Sequence, residues 1–151
     1  MLSGMARWVA GAHPEPARVW EQWAELRAAL VPAGRRWDAV RMPVTLLQRV
    51  VEETQVLTEA PIVADLRSGE CYVLVPAGAG VMVAAGAREV TALGVGSWVA
   101  MADPGAARVW GARVGVWLQL PSGVLADPGE LGRALAQTGV GRVPVVAGET
   151  R

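Results

Sequence analysis

Lysine, asparagine and phenylalanine are absent from the 151 residues, and cysteine, histidine, isoleucine and tyrosine occur once each. Each shortage excludes something. Cys71 alone permits no intrachain disulfide, and with His13 it makes no zinc-binding cluster. A single histidine in a proline-flanked lead-in leaves no base beside a nucleophile, so triad and dyad chemistry are not expected. Neither Asp-x-Asp nor Asp-x-Glu occurs, so no strand carries the convergent carboxylates of two-metal phosphoryl chemistry. No metal and no cofactor is therefore expected. The longest uncharged stretch near the centre, Cys71–Ala87, holds Pro76, Gly78, Gly80 and Gly86 and falls short of the roughly 20 apolar residues of a membrane span. The N-terminus lacks the apolar run of a signal peptide. The expectation is a cytoplasmic protein with no membrane partner.

What is present points to a globular domain. Hydrophobic residues make up 52% and the formal charge is zero, which excludes a disordered chain. All fourteen basic residues are arginine, and seven tryptophans supply nearly all the aromatic volume. The missing residue types share AT-rich codons, so this is a base-composition signature with a physical consequence: each buried indole N–H needs an acceptor. Residues 1–50 carry seven Arg against four acids, and residues 51–100 two against six. A basic first third is a mild signal for an anionic partner, although a solvated face is the commoner cause.

The chain is organised around Pro61–Gly80. Ile62, Val63 and Leu66, then the polar Arg67-Ser68-Gly69-Glu70, then Tyr72–Val75 read as a β-hairpin. Tyr-Val-Leu-Val does not alternate, which predicts a strand buried on both faces at the centre of a sheet. Before it, Val19, Trp20, Trp23, Leu26 and Leu30 recur at three- and four-residue steps and predict a helix over Ala17–Val31. Trp37–Met42 reads as a strand with Trp37, Ala39 and Arg41 on one side and Asp38, Val40 and Met42 on the other. Thr45 and Gln48 have the spacing of a capping box for a helix to Thr54. After the hairpin, Val81–Ala84 and Glu89–Leu93 read as edge strands. Trp98–Ala102 is another strand, closed by Asp103-Pro104-Gly105. Arg108–Trp110 and Val114–Leu120 read as a hairpin. Asp127-Pro128-Gly129-Glu130 opens a helix that Gly139 should end.

This order predicts one α+β domain over 1–151: a mostly antiparallel sheet of about six strands, with two to three helices packed mainly on one face. The lead-in 1–15 and the tail 140–151 are expected to be loosely held.

Two motifs weaken on inspection. Ser97 lacks the glycine two residues later that a nucleophile elbow requires. Pro76-Ala77-Gly78-Ala79-Gly80 follows a buried strand as a dinucleotide loop does, but Val83 occupies the position where a small residue is needed. A turn of small residues is the better reading.

The segments PAGRRWDAVRMP, APIVADLRSGECYVLVPAG, LGVGSWVAMADP and PSGVLADPGELGRAL, in that order, resemble a family of small uncharacterised actinobacterial proteins. That family is distantly similar to the N-terminal module of bifunctional DNA primase/polymerases. The resemblance implies a nucleotide- and template-binding α+β module with paired metal-binding acids and a histidine. Here Asp65 is the acid near the expected place, and no histidine follows His13.

The functional expectation is a non-catalytic binding or regulatory module of primase-polymerase-like type, with a nucleotide, single-stranded nucleic acid or a protein as partner. A protein-interaction domain is the alternative, and a nucleotidyl-transfer enzyme using Asp65 a further one. For a binding surface the sequence offers Arg108, Trp110, Arg113 and Trp117. Strand alternation places Val114, Val116, Leu118 and Leu120 on the core face and Arg113 and Trp117 on the other. Two indoles with two guanidiniums suit base stacking or an anion. Tryptophan is nonetheless highly buried on average, so a helix covering both indoles is the favoured arrangement. The patch requires Trp110 and Trp117 to be exposed.

Overall fold

Strand β4 (Glu70–Pro76) occupies the middle of a five-stranded sheet in the order β5 (Thr91–Leu93), β2 (Trp37–Pro43), β4, β3 (Ile62–Asp65) and β7 (Val114–Gln119), in which every adjacent pair is antiparallel. This is a computed structural model describing residues 2–106 and 113–147, with side chains for 4–106 and 113–138. Both faces of β4 are covered, as its unbroken apolar run predicts. Cys71, Val73 and Val75 enter one core, while Leu74, with Tyr72 packed against it, enters the other.

The partners of β4 are β2 (Trp37–Pro43), paired over all seven residues, and β3 (Ile62–Asp65). The β3–β4 turn depends on Gly69, whose φ of 77° is left-handed, and its N–H donates to Asp65 O at 2.9 Å. Asp65 shapes the same turn: its Oδ1 accepts from the Arg67 N–H at 3.0 Å. The edges are β5 (Thr91–Leu93) and β7 (Val114–Gln119).

One face of the sheet packs under α3 (Val44–Glu53), α4 (Gly80–Ala84) and α5 (Pro128–Ala147). Leu46, Leu47, Val50, Val83, Leu131 and Leu135 meet Val40, Met42, Val73 and Val75 there. The other face packs under a second, two-stranded sheet of β1 (Ala29–Pro32) and β6 (Trp98–Met101), flanked by α1 (Leu2–Ala10) and α2 (Pro16–Glu25). Val9, Val19, Val31, Val99 and Met101 enclose Trp37, Ala39, Leu74 and Trp117. The α+β class with a mostly antiparallel sheet is as expected, with three helices on one face. No helix among the described residues is long and apolar enough to cross a membrane.

Several local expectations are overturned by long-range pairing. The helix predicted to Val31 stops at Glu25, and Leu26 is already extended. Ala29–Pro32 instead pairs with Trp98–Met101, so hydrogen bonds to a strand some seventy residues away replace the helical ladder, and seven strands result in place of about six. Val81–Ala84 is helical, not an edge strand, because Gly80 N–H is drawn onto the Asp38 carboxylate and turns the chain. Thr45 does not cap: α3 begins at Val44 after Pro43, with no side-chain cap bond, so Thr45 is already inside the first turn. The lead-in holds a helix whose Val9 and Ala10 are buried, followed by buried Ala12. Helix α5 continues past Gly139 to Ala147, since that glycine stays helical.

The largest difference concerns β7. Its register on β3 slips twice, with Ile62 opposite Gln119 and Val63 opposite Trp117, then Ala64 opposite Val116 and Asp65 opposite Val114. Leu118 and Gly115 are the unpaired residues, so two bulges interrupt the ladder, while burial still alternates from Gly115 to Leu118. Gly115 has φ 73°, and a Cβ there would lie 2.9 Å from Ala100 O, so only glycine fits. Its carbonyl accepts from the Ala102 N–H at 2.9 Å, which ties the small sheet to the large one.

Two stability predictions follow from caps and indoles. Asp127 Oδ2 accepts from Glu130 N–H at 2.8 Å, so Asp127→Ala should cost about 1 kcal/mol, and Thr45→Ala far less, in denaturant titrations. Trp117 Nε1 donates to Ala102 O at 2.7 Å, whereas the fully buried Trp37 Nε1 has no acceptor among the described residues. Replacing either with Phe removes the same volume. Trp117→Phe should therefore be the costlier change by about 1–3 kcal/mol, because it strands a carbonyl while Trp37→Phe removes an orphaned donor.

Candidate functional site

The surface named from sequence divides on inspection. Arg108 and Trp110, and the hairpin turn at Gly111-Ala112, lie outside the described residues. Arg113 is exposed, but Trp117 is only 9% exposed, packed in the core under the small sheet. The covering layer explains the inversion: Trp117 pairs with Val63 and shares its face, which the small sheet covers, while Leu118, unpaired at a bulge and expected in the core, is 46% exposed. Gln119 is turned to donate to Leu57 O and Ala60 O at 2.8 and 2.6 Å. Trp117 is thus a core residue and not part of a ligand-facing surface.

A different basic and aromatic corner is assembled where the α1 exit, the β1–β2 turn and the β5–β6 loop meet. Gly34 makes the turn. It has φ 94°, and a Cβ on it would lie 2.5 Å from Val95 N, so the turn and the 94–97 loop touch backbone to backbone. Ala33 N–H donates to Ser97 O at 2.9 Å, and Gly34 N–H to Trp37 O at 2.7 Å. Between them Arg35 and Arg36 project to solvent. Arg35 Nη1 donates to Ala12 O at 3.1 Å, and Arg36 Nη1 lies beside Gly11. Neither guanidinium forms an ion pair among the described residues.

The aromatic part is Trp98, 51% exposed on the outer face of β6. Its ring lies 5.7 Å from that of His13, tilted by 57°. His13 Nδ1 accepts from the Glu15 N–H at 2.9 Å, which fixes the proton of the neutral ring on Nε2. A half-exposed indole, an imidazole and two exposed guanidiniums can stack a planar group and hold its negative charge. Nothing local in the sequence shows that the strand carrying Trp98 arrives beside the turn that carries Arg35.

The groups that could do covalent or metal chemistry have other duties. Asp65 shapes its hairpin turn at the far end of the sheet, and its Oδ1 lies 3.8 Å from Arg67 Nε. Near it, Arg41 and Glu70 approach to 3.9 Å across β2 and β4. Tyr72, in that group, has its phenol pushed above its ordinary 10.0 by burial, with Arg41 acting in the opposite direction. Cys71 is fully buried, and burial first, then the Glu70 carboxylate, pushes its thiol up to about 12. It is a core residue, not a nucleophile. Among the described residues no three His, Cys, Asp or Glu side chains converge to hold a metal ion. An open cleft of about 210 Å³ beyond the end of α3, lined by Thr54, Val56, Glu130, Arg133, Ala134 and Gln137, brings together no such group.

Comparison with protein-family models, with curated proteins and with solved structures finds no match for this chain.

The buried thiol predicts a pH dependence. Below pH 9.0 both folded and unfolded chains keep the Cys71 proton. Above it the unfolded chain releases the proton while the folded chain holds it up to about 12, so stability falls through that window. The slope from Cys71 should be about 1.4 kcal/mol per pH unit, absent in Cys71→Ala, with a residual alkaline slope from Tyr72. Urea titrations across alkaline pH measure it.

Proposed function

We propose that the chain is a non-catalytic binding module of the cytoplasm, and that it takes a nucleotide or single-stranded nucleic acid at the corner formed by Arg35, Arg36, Trp98 and His13. The observation that carries this reading is Trp98: a large indole left half-exposed against His13, next to the turn that carries Arg35 and Arg36, neither of which forms an ion pair among the described residues. A base stacks on the indole face, and the arginines hold phosphate oxygens. The basic first third of the chain, seven Arg against four acids, supplies a favourable field for such a ligand. The reading treats the protein as a degenerate member of the primase-polymerase-like modules it resembles, one that retains binding without the metal-holding acids.

A protein partner is the second reading. Leu30, on the outer face of the small sheet with Trp98, is half-exposed, and Leu26 is more so. Those side chains would be buried by a polypeptide laid along that face.

Fluorescence titration with a mononucleotide and a short oligothymidylate at low salt separates the readings. Binding should quench tryptophan emission and vanish in Trp98→Ala. For the oligonucleotide, two phosphate contacts should give a slope of log K against log salt of about −1.4, reduced in Arg35→Glu with Arg36→Glu. No binding, or binding indifferent to these substitutions, overturns the corner as the site. A nucleotide-induced thermal shift that needs Mg²⁺ and disappears in Asp65→Ala would instead identify a metal-dependent nucleotidyl-transfer enzyme.

A further inference from the structure

Asp38 is the one buried carboxylate among the described residues, 5% exposed, and nothing in the chemistry above uses it. As the second residue of β2 it shares a face with Val40 and Met42, under α4. A carboxylate in such surroundings is costly unless hydrogen-bonded. Its partner is the backbone of the next loop: Gly80 N–H donates to Oδ2 at 3.0 Å. The approach is close enough that a Cβ on Gly80 would lie 3.1 Å from both Cβ and Oδ2 of Asp38, and 3.3 Å from Ala92 Cβ. On its other side a Cβ on Gly94 would come within 3.6 Å of Oδ1. The carboxylate therefore sits between the start of α4 and the end of β5, filling the space that two glycines leave.

From Gly94 a chain of backbone contacts leads to the corner. Ser97 N–H donates to Gly94 O at 3.0 Å, Ser97 O accepts from Ala33 N–H at 2.9 Å, and Gly34 lies against Val95. Ser97 precedes Trp98, and Gly34 precedes Arg35. The distance from the arginine turn to the exposed indole is thus set by a loop whose first residue rests on Asp38.

We infer that Asp38 is a positioning residue for the corner: its buried carboxylate holds the 76–80 and 94–97 loops in place and so fixes Trp98 relative to Arg35 and Arg36. The inference rests on the corner being the binding site, yet the latch itself can be read without any ligand. It also accounts for an acid at the first position of an otherwise apolar strand face.

Hydrogen exchange on the whole chain tests the latch. In Asp38→Ala the amides of Gly80, Ser97 and Ala33 should exchange roughly tenfold faster or more, the scale of a lost hydrogen bond to a carboxylate. The amides of Val44 and Gly69, bonded at the other end of the sheet, should keep their protection. Asp38→Asn keeps an oxygen for Gly80 N–H and should restore the wild-type pattern. Faster exchange at Gly80 alone, or a uniform rise at both ends, overturns the inference. If Asp38→Ala does not fold, Gly80→Ala decides in its place. The added methyl would lie 3.1 Å from Oδ2 and push the carboxylate back by a few tenths of an ångström, which loosens the Gly80 bond, so the same three amides should lose protection. Oligothymidylate binding gives the second readout: Asp38→Ala should weaken it by about tenfold, in line with the lost bond, and Asp38→Asn should restore it. Wild-type protein that fails to bind oligothymidylate, but shows the expected exchange pattern, sinks the corner as a binding site and leaves the latch standing. Binding unaffected by Asp38→Ala refutes the positioning role and leaves the site intact.

Discussion

The antiparallel pairing of β2 with β4 is the constraint from which the rest of the molecule hangs. Seven consecutive residue pairs, Trp37 with Pro76 through Pro43 with Glu70, join two strands that are apolar on both faces. A strand pair of that kind cannot leave either face in water, and each buried side chain gains about 1.5–3 kcal/mol from being covered. Two covering layers are thus obligatory. One is α3, α4 and α5, and the other is the β1–β6 ribbon with α1 and α2. The two ends of this pair then acquire different characters. At the Pro43 end sit the paired charges Arg41, Glu70, Asp65 and Arg67, which satisfy one another. At the Trp37 end three loops converge, and Arg35 and Arg36 form no ion pair among the described residues.

Dependence on tryptophan shapes the ribbon side. With no phenylalanine available, indoles fill positions where an apolar ring would do, and each brings a donor that must be placed. Trp23 Nε1 donates to Met101 O at 2.9 Å and Trp117 Nε1 to Ala102 O, so two indoles fasten neighbouring elements to the end of β6. Trp37 finds no acceptor among the described residues, a cost accepted at a fully buried position of the sheet. Trp98 is the exception in the other direction. It lies on the outer face of the ribbon, with His13 against part of it, and half of its surface remains in solvent. The same residue type thus serves as fastener, filler and exposed platform, according to what lies opposite it.

Glycine decides where backbones may touch. Gly34 against Val95 and Gly115 against Ala100 are contacts that any side chain would prevent. Both join the small sheet to the large one, the first at the corner and the second at the bulge in β7. The inversion of β7 shows how one such contact propagates. Gly115 meets the Ala102 N–H and Trp117 packs under the small sheet, so the alternation that reads so plainly in Val114–Leu120 persists but its covered side is the one the residue types did not favour.

Features held by near neighbours are legible in the residue types alone. The β3–β4 hairpin is closed by Asp65, Arg67 and Gly69. The α5 start is capped by Asp127 three residues before Glu130. The two faces of β2 follow from the alternation of Trp37 through Met42. Each depends on backbone geometry within a few residues, which residue type alone specifies. Tertiary structure decided the rest. Ala29–Pro32 became a strand because β6 was there to pair with it, although its apolar spacing continued a helix. Val81–Ala84 became a helix because Asp38, 42 residues earlier, held Gly80. Trp98 became the exposed ring of a basic corner, and Trp117 a core residue, through contacts with His13 and Ala102 that no local pattern encodes. The physical reason is common to all of them. A hydrogen bond or a buried face is satisfied by whichever partner the fold brings near, and the sequence writes down only the need, not the distance along the chain at which it is met.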